Sequence, residues 1–255
     1  MCQKTEIAQT SGFGSHDNTF IGEQHNYGLN AIDAAQMAFS FFRQYYPQLR
    51  EEALTEMRRL VDERLGKVPP DCIIPPKARI AVPALQYASI TEEQAVRELF
   101  ANLLTNSMNS EVCNSVHPSY IEIIKQLSED DARILQYMST HYFLPVVSIS
   151  LLGGHAKVLA NFSDIPEKLG CSNCYNIDGC FSNLIRLGLV YKDFPGLSSL
   201  EKTIEALKNH PFYQKKHLEA QDDSKKKNMG PIVERAGLIM RTTFGTDFCK
   251  VCAMN

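Results

Sequence analysis

The sequence predicts a mainly α-helical chain whose last portion is mixed α+β, and three observations carry that expectation. Residues 91–138 read as three consecutive helices, each with its own start signal. The β-branched, extended-looking segments fall only after residue 144, where Pro145–Leu152 (PVVSISLL) is bounded by Pro on one side and Gly-Gly on the other. Between the two regions the hydrophobic period changes from one apolar residue every three or four to short continuous runs.

Taken in order, residues 1–29 lack helical periodicity and are rich in Gly, Ser, Asn and Gln. Within them Thr19, Phe20, Ile21, Gly22, Gln24, Asn26 and Tyr27 interleave β-formers with amide side chains. Such a tract can pair as strands and stack with identical copies. It resembles short amyloid-like signalling motifs built on Ile-Gly and an amide-rich turn. A disordered leader is the competing reading. From Asn30 a long helical pattern begins, with Asp33 near its start. Ala35, Ala38, Phe42, Tyr45 and Leu49 share one face, continued by Leu54, Met57, Val61 and Leu65. Pro47 predicts a break, and Gly66 with Pro69 and Pro70 a stop. The aromatics Phe39, Phe41, Phe42, Tyr45 and Tyr46 exceed what one stripe buries, so Phe41 and Tyr46 are either core or a partner interface.

The proline-rich stretch 68–80 should cross the surface in extended form before a short helix over 78–88 that contains Pro83. Thr91 and Gln94 form a capping-box pair, followed by Val96, Leu99, Phe100, Leu103 and Leu104 on one stripe. His117 and Pro118 open the next helix, with Tyr120, Ile123, Ile124 and Leu127 inward. Ser128 caps the third, with Asp130 and Asp131 read as solvent carboxylates in its first turn.

After the strand at 145–152, a short helix should run from Asn161-Phe-Ser163 to Gly170, and a second over 175–187. Gly188 ends it, Leu189–Lys192 reads as a strand, and Gly237–Arg241 as its hairpin partner before a closing helix at 243–253. Helix, strand, helix-turn-helix, hairpin, helix is the order of a winged helix. The expected organisation is a leader (1–29), a helical domain (30–127) and a winged-helix-like domain (128–255) with a long wing insertion (193–235). That insertion carries its own helix at 200–209 and a hydrophilic run, 220–228, expected to be mobile.

The run PPKARIAVPALQYASITEEQAVRELFANLLTNSMN, followed by VHPSYIEIIKQLSEDDARILQYM, resembles the Abi-alpha (abortive infection alpha) family of bacterial domains. The matching features are Ala81–Leu85, Leu99–Ser107, the His117-Pro118-Ser119 step and the Leu127–Ala132 junction, and the later SNLIRLGLV and TTFGTDFCKVC fit the family's ending. The similarity spans roughly Ala31–Cys252. It implies a phage-defence context and supplies no catalytic residues.

Composition narrows the field of functions. The chain has 255 residues, 44% hydrophobic and 22% charged, with a net charge of −3. This is ordinary for a globular protein and lacks the basic excess of a nucleic-acid-coating one. The first residues are polar without an apolar core segment, and the longest apolar run is far below the ~20 residues of a membrane span, so a soluble cytoplasmic protein is expected. Eight cysteines there should be mostly reduced.

Four of them, Cys171, Cys174, Cys249 and Cys252, form two C-x-x-C pairs that could hold tetrahedral zinc if they converge; buried apolar thiols are the competing reading. The helix expected to read DNA carries a single cation, Arg186, and Asp222 and Asp223 stand beside Lys225–Lys227, so nucleic acid is not the expected partner and docking or dimerisation is. No phosphate loop, H-E-x-x-H or G-x-S-x-G is present. His117 reads as a helix cap rather than an acid–base group. The expectation is a non-enzymatic, cofactor-free effector or sensor that self-associates and meets a phage or host protein. A winged-helix transcriptional regulator is the alternative.

Overall fold

The computed structural model describes residues 51–151, 156–194 and 200–254. Helix α1 (Glu51–Leu65) buries Leu54, Met57, Leu60, Val61 and Leu65, the stripe its sequence announces. A 3-10 turn at Pro70–Cys72 then leads to α2 (Ala78–Ile90), which runs through Pro83 and packs Ile80, Ala81, Ala84, Leu85 and Ala88 inward.

The central element is α3 (Gln94–Ser107), which packs against α1 and α2 and also against α4 (Ser119–Ile124) and α5 (Glu129–Thr140). Its start differs from the expected capping box. Thr91 donates its hydroxyl to Tyr87 O at 2.8 Å, closing α2 instead, and no side chain of its own segment caps α3. The orphan amide of Ala95 is instead taken by Glu129 Oε2 of α5 at 3.0 Å, a cap supplied through tertiary contact. In α5 the expected cap is present. Ser128 Oγ accepts from Asp131 N at 3.2 Å, and Asp131 returns the bond by accepting from Ser128 N at 2.9 Å.

The second portion is built on β1 (Phe143–Leu151) and β2 (Ala156–Phe162), the short helix α6 (Ile165–Lys168), α7 (Asp178–Arg186) and β3 (Val190–Asp193). It continues with α8 (Glu201–Lys208), α9 (Pro211–Lys227), β4 (Val233–Arg241), α10 (Thr243–Phe248) and a π-turn at Cys249–Ala253. The strands form one antiparallel sheet in the order β2-β1-β4-β3. The expected hairpin is there: Val190 pairs with Arg241 and Lys192 with Ile239, and Gly188 ends α7 at φ +71°.

Two expectations are corrected. The segment at 156–162 is a strand, so the helix placed from Asn161 is only Ile165–Lys168. The hydrophilic run at 220–228 lies mostly inside α9, which buries Tyr213 and Ala220. The reason is the sheet's second face. Leu144, Val146, Val190 and Ile239 look into the larger core with α1–α5 and α7, whereas Val147 and Ile149 look the other way. That second face joins Leu159 and Phe162 and is covered by Ile204, Leu207, Tyr213 and Ala220 of α8 and α9. A strand buried on both faces is largely apolar, and from Leu144 to Leu151 only Ser148 and Ser150 interrupt the apolar run.

Candidate functional sites

The leader residues Thr19, Phe20, Ile21, Gly22, Gln24, Asn26 and Tyr27, and the aromatics Phe41 and Tyr46, lie outside the described residues. The four cysteines lie within them. Cys171 and Cys174 flank a turn after α6 that Asp130 holds, its carboxylate accepting from Ser172 N at 2.9 Å and Asn173 N at 3.1 Å. Asp130 and Asp131 are therefore not the solvent carboxylates expected of a helix start: they are 6% and 3% exposed. Burial, with Asp130 beside it, pushes the Cys171 thiol up to about 12.

Cys249 and Cys252 sit in the π-turn, both fully buried. Cys249 donates weakly to Leu135 O at 3.9 Å, and burial raises it to about 11; burial raises Cys252 well above an ordinary thiol. Thiols held in the protonated form are poor nucleophiles. The seven described cysteines are free, and among the described residues no three His, Cys, Asp or Glu side chains are grouped to hold a metal. The π-turn is instead held by amides of α3. Asn102 Nδ2 donates to Cys252 O at 2.9 Å and Asn106 Nδ2 to Val251 O at 2.7 Å, while Arg64 of α1 donates to Asn102 Oδ1.

A cleft of about 340 Å³ opens between α3, α5 and α6, lined by Gln94, Glu98, Glu129, Arg133, Gln136 and Tyr137 with Ala95 and Leu169. Its polar groups answer one another. Arg133 donates to Glu129 Oε1 through Nε and Nη2, both at 3.1 Å, and through Nη1 to Leu169 O at 2.9 Å and Gly170 O at 2.8 Å. Glu98 accepts from Gln136 at 3.1 Å and Gln94 at 3.3 Å. No nucleophile paired with a base lines it, so it braces α5 against α3 and α6. His117 Nδ1 accepts from Ser119 N at 3.1 Å, a local cap at the start of α4, as expected.

The exposed side of α7 carries Gly179, Ser182, Ile185 and Arg186. Arg186 is turned back on its own chain, donating to Gln126 Oε1 at 3.0 Å and Asn183 Oδ1 at 2.7 Å. On the sheet, register sets Phe143, Met240 and Tyr191 in one row across β1, β4 and β3. Phe143 and Tyr191 are each 39% exposed, with Tyr142 at 50% beside them under the Arg241 guanidinium, 5.5 Å from its ring centroid. That row was missed in the sequence, because only strand register aligns residues 143, 191 and 240.

The model of the family described as abortive infection alpha matches residues 49–252. No curated protein matches the chain. A solved structure, an uncharacterized protein from the hydrocarbon-degrading marine bacterium Alcanivorax borkumensis SK2, is similar over 52% of this chain and 90% of its own. Its identity is 18% and its TM-score 0.37.

Proposed function

Because the chain belongs to the abortive infection alpha family, we propose that it acts in abortive-infection defence against phage, as a cytoplasmic effector or sensor working through protein contact or self-assembly. The family match over residues 49–252 is the observation that carries this reading. The cleft is braced by internal hydrogen bonds, the C-x-x-C thiols at Cys171, Cys249 and Cys252 are buried, and the exposed apolar row crosses three strands. Among the described residues no helix is long and apolar enough to cross a membrane. The leader at 1–29 is proposed as the assembly motif, with Phe41 and Tyr46 as interface aromatics.

Residues 128–255 are read as winged-helix-like, supported by the order α5, β1, α6–α7 and the β3–β4 hairpin. On that reading the long insertion is not an extended wing but a helical pair folded under the sheet. The same architecture supports the rival, a DNA-binding regulator, though Arg186 is committed to Gln126 and Asn183.

The test is plaque formation by a phage panel on cells expressing the chain, with survival of infected cells followed at high multiplicity. Fewer plaques together with death of infected cells fits the proposal; unchanged plating across the panel refutes it. Sizing the full chain beside one starting at Asn30 separates assembly from monomer action. A salt-dependent DNA shift would favour the regulator.

A further inference from the structure

We infer that the polar half of the sheet's inner face is a binding site for a small phosphorylated anion, formed by Lys157, Lys192 and Arg235 with Ser148 and Asn161. Register places these residues together. Ser150 pairs with Lys157, Ser148 pairs with Arg235, and alternation sets all four on the face whose other half enters the larger core. Lys192 reaches the same place from β3, its ammonium donating to Asn161 Oδ1 on β2. It crosses β4 at Gly237, where a Cβ would come within 3.3 Å of Lys192 Cε and 2.9 Å of Asp193 O. A side chain at 237 would close that path.

Asn161 is the organiser. It holds a left-handed φ of +51°, unusual outside glycine, at a bulge of β2. Its amide N donates to Ser148 Oγ at 3.0 Å, and its side chain joins Lys192 to Asp178 of α7. Strain of this kind persists where surroundings hold it, and it gathers at binding sites.

Three cations thus face one carboxylate. Burial holds the Lys192 pKa below the ordinary lysine value, Asp178 opposes this, and the charges of Lys157 and Arg235 add to the lowering. Among the described residues Lys157 and Arg235 form no ion pair, and both are exposed. An anion with several oxygens would satisfy all three cations while Lys192 is already positioned, so little ordering is needed on binding. A compact di- or triphosphate fits better than a polymer, since Asp178 stands beside the patch and the chain as a whole is acidic at −3.

The test is titration calorimetry of the full chain with inorganic pyrophosphate and with ATP at low salt, repeated on Lys157→Gln, Arg235→Gln and, outside the patch, Lys250→Gln. Circular dichroism checks that each variant is folded. Saturable binding, weakened roughly tenfold by each of the first two changes and unaffected by the third, is the expected result. The proposal is overturned if neither probe binds, or if Lys157→Gln and Arg235→Gln bind as the parent does. It is also overturned if a single-stranded oligonucleotide binds while pyrophosphate and ATP do not, which would assign the patch to a polymer backbone.

Discussion

Replacing Gly245 by alanine should break the joint between α10 and the α7–β3 turn. A Cβ at 245 would lie 1.8 Å from Leu189 O, 2.7 Å from Leu189 C and 3.0 Å from its Cα. All three are backbone atoms, so no side chain can swing away. An ordinary carbon–oxygen approach is about 3.3 Å or more, so α10 must retreat by about 1.5 Å. That retreat strains two bonds at the helix start, Thr242 N to Leu189 O at 3.0 Å and Thr242 Oγ1 to Gly188 O at 2.6 Å. Losing both costs about 2 kcal/mol and overpacking a further 1–3 kcal/mol or so, set against a gain of about 1 kcal/mol from alanine's helix propensity. The net loss is about 3 kcal/mol. With a urea slope of about 2 kcal/mol/M, the unfolding midpoint should fall by about 1.5 M. Gly179→Ala is the internal control: nothing lies within 4 Å of its Cβ position and its φ is ordinary, so it should be neutral or slightly stabilising. A midpoint for Gly245→Ala equal to that of Gly179→Ala would refute the reasoning.

Three further outcomes follow from the same contacts. Asp130→Asn retains the shape but cannot accept from both Ser172 N and Asn173 N without turning its own amide toward a donor, so stability should fall by about 2 kcal/mol in urea melts. A loss under ~0.5 kcal/mol would mean the turn at Cys171–Cys174 is held by something else. Cys249 and Cys252 should react with a disulfide reagent only at the rate of global unfolding, while half-exposed Cys113 reacts in the native state, and elemental analysis should find no stoichiometric zinc. Chelator-resistant zinc lost on Cys252→Ser would contradict both. Burial raises the Glu234 pKa, but Lys208, Tyr213 and His217 together outweigh this and hold the carboxyl below its ordinary value. Its stabilising share is therefore complete above the ordinary carboxylate pKa and is lost as pH falls through the lower folded value. Glu234→Gln should flatten the acid limb of the melting temperature; an unchanged acid limb would show that α8 and α9 are not held through this carboxylate.

What the sequence made legible was local. The Ser128 cap, the buried stripes of α1 and α3 and the Gly188 stop each depend on residues within two turns of one another, and each is in place. That the β3 and β4 segments pair across the insertion was readable too; their register was not. What stayed hidden depends on distant partners. AKVLANF has one β-branched residue and owes its strand to pairing with β1, while the left-handed φ of Asn161 belongs to a bulge that only the pairing creates. PFYQKKHLEAQDDSKKK reads as solvated because its buried side is sparse, and Glu234 fixes it through Lys208 before it and His217 within it. Thr91 had two local bonding choices and took the backward one. The helix-start role of Asp131 was visible; the burial of Asp130 needed residues 172 and 173, more than forty positions away.

The amide clamp on the π-turn bears on the order in which the molecule is made. Asn102 is 2% exposed in the middle of α3, and the carbonyl it serves belongs to Cys252. During synthesis the first hundred or so residues emerge with this amide inside a forming core and its acceptor not yet translated. Removing that acceptor takes away a buried hydrogen bond that reaches from the middle of α3 to the chain's last turn, at a cost of about 1–3 kcal/mol. Chains ending before and after Cys252 should therefore differ sharply in protease resistance.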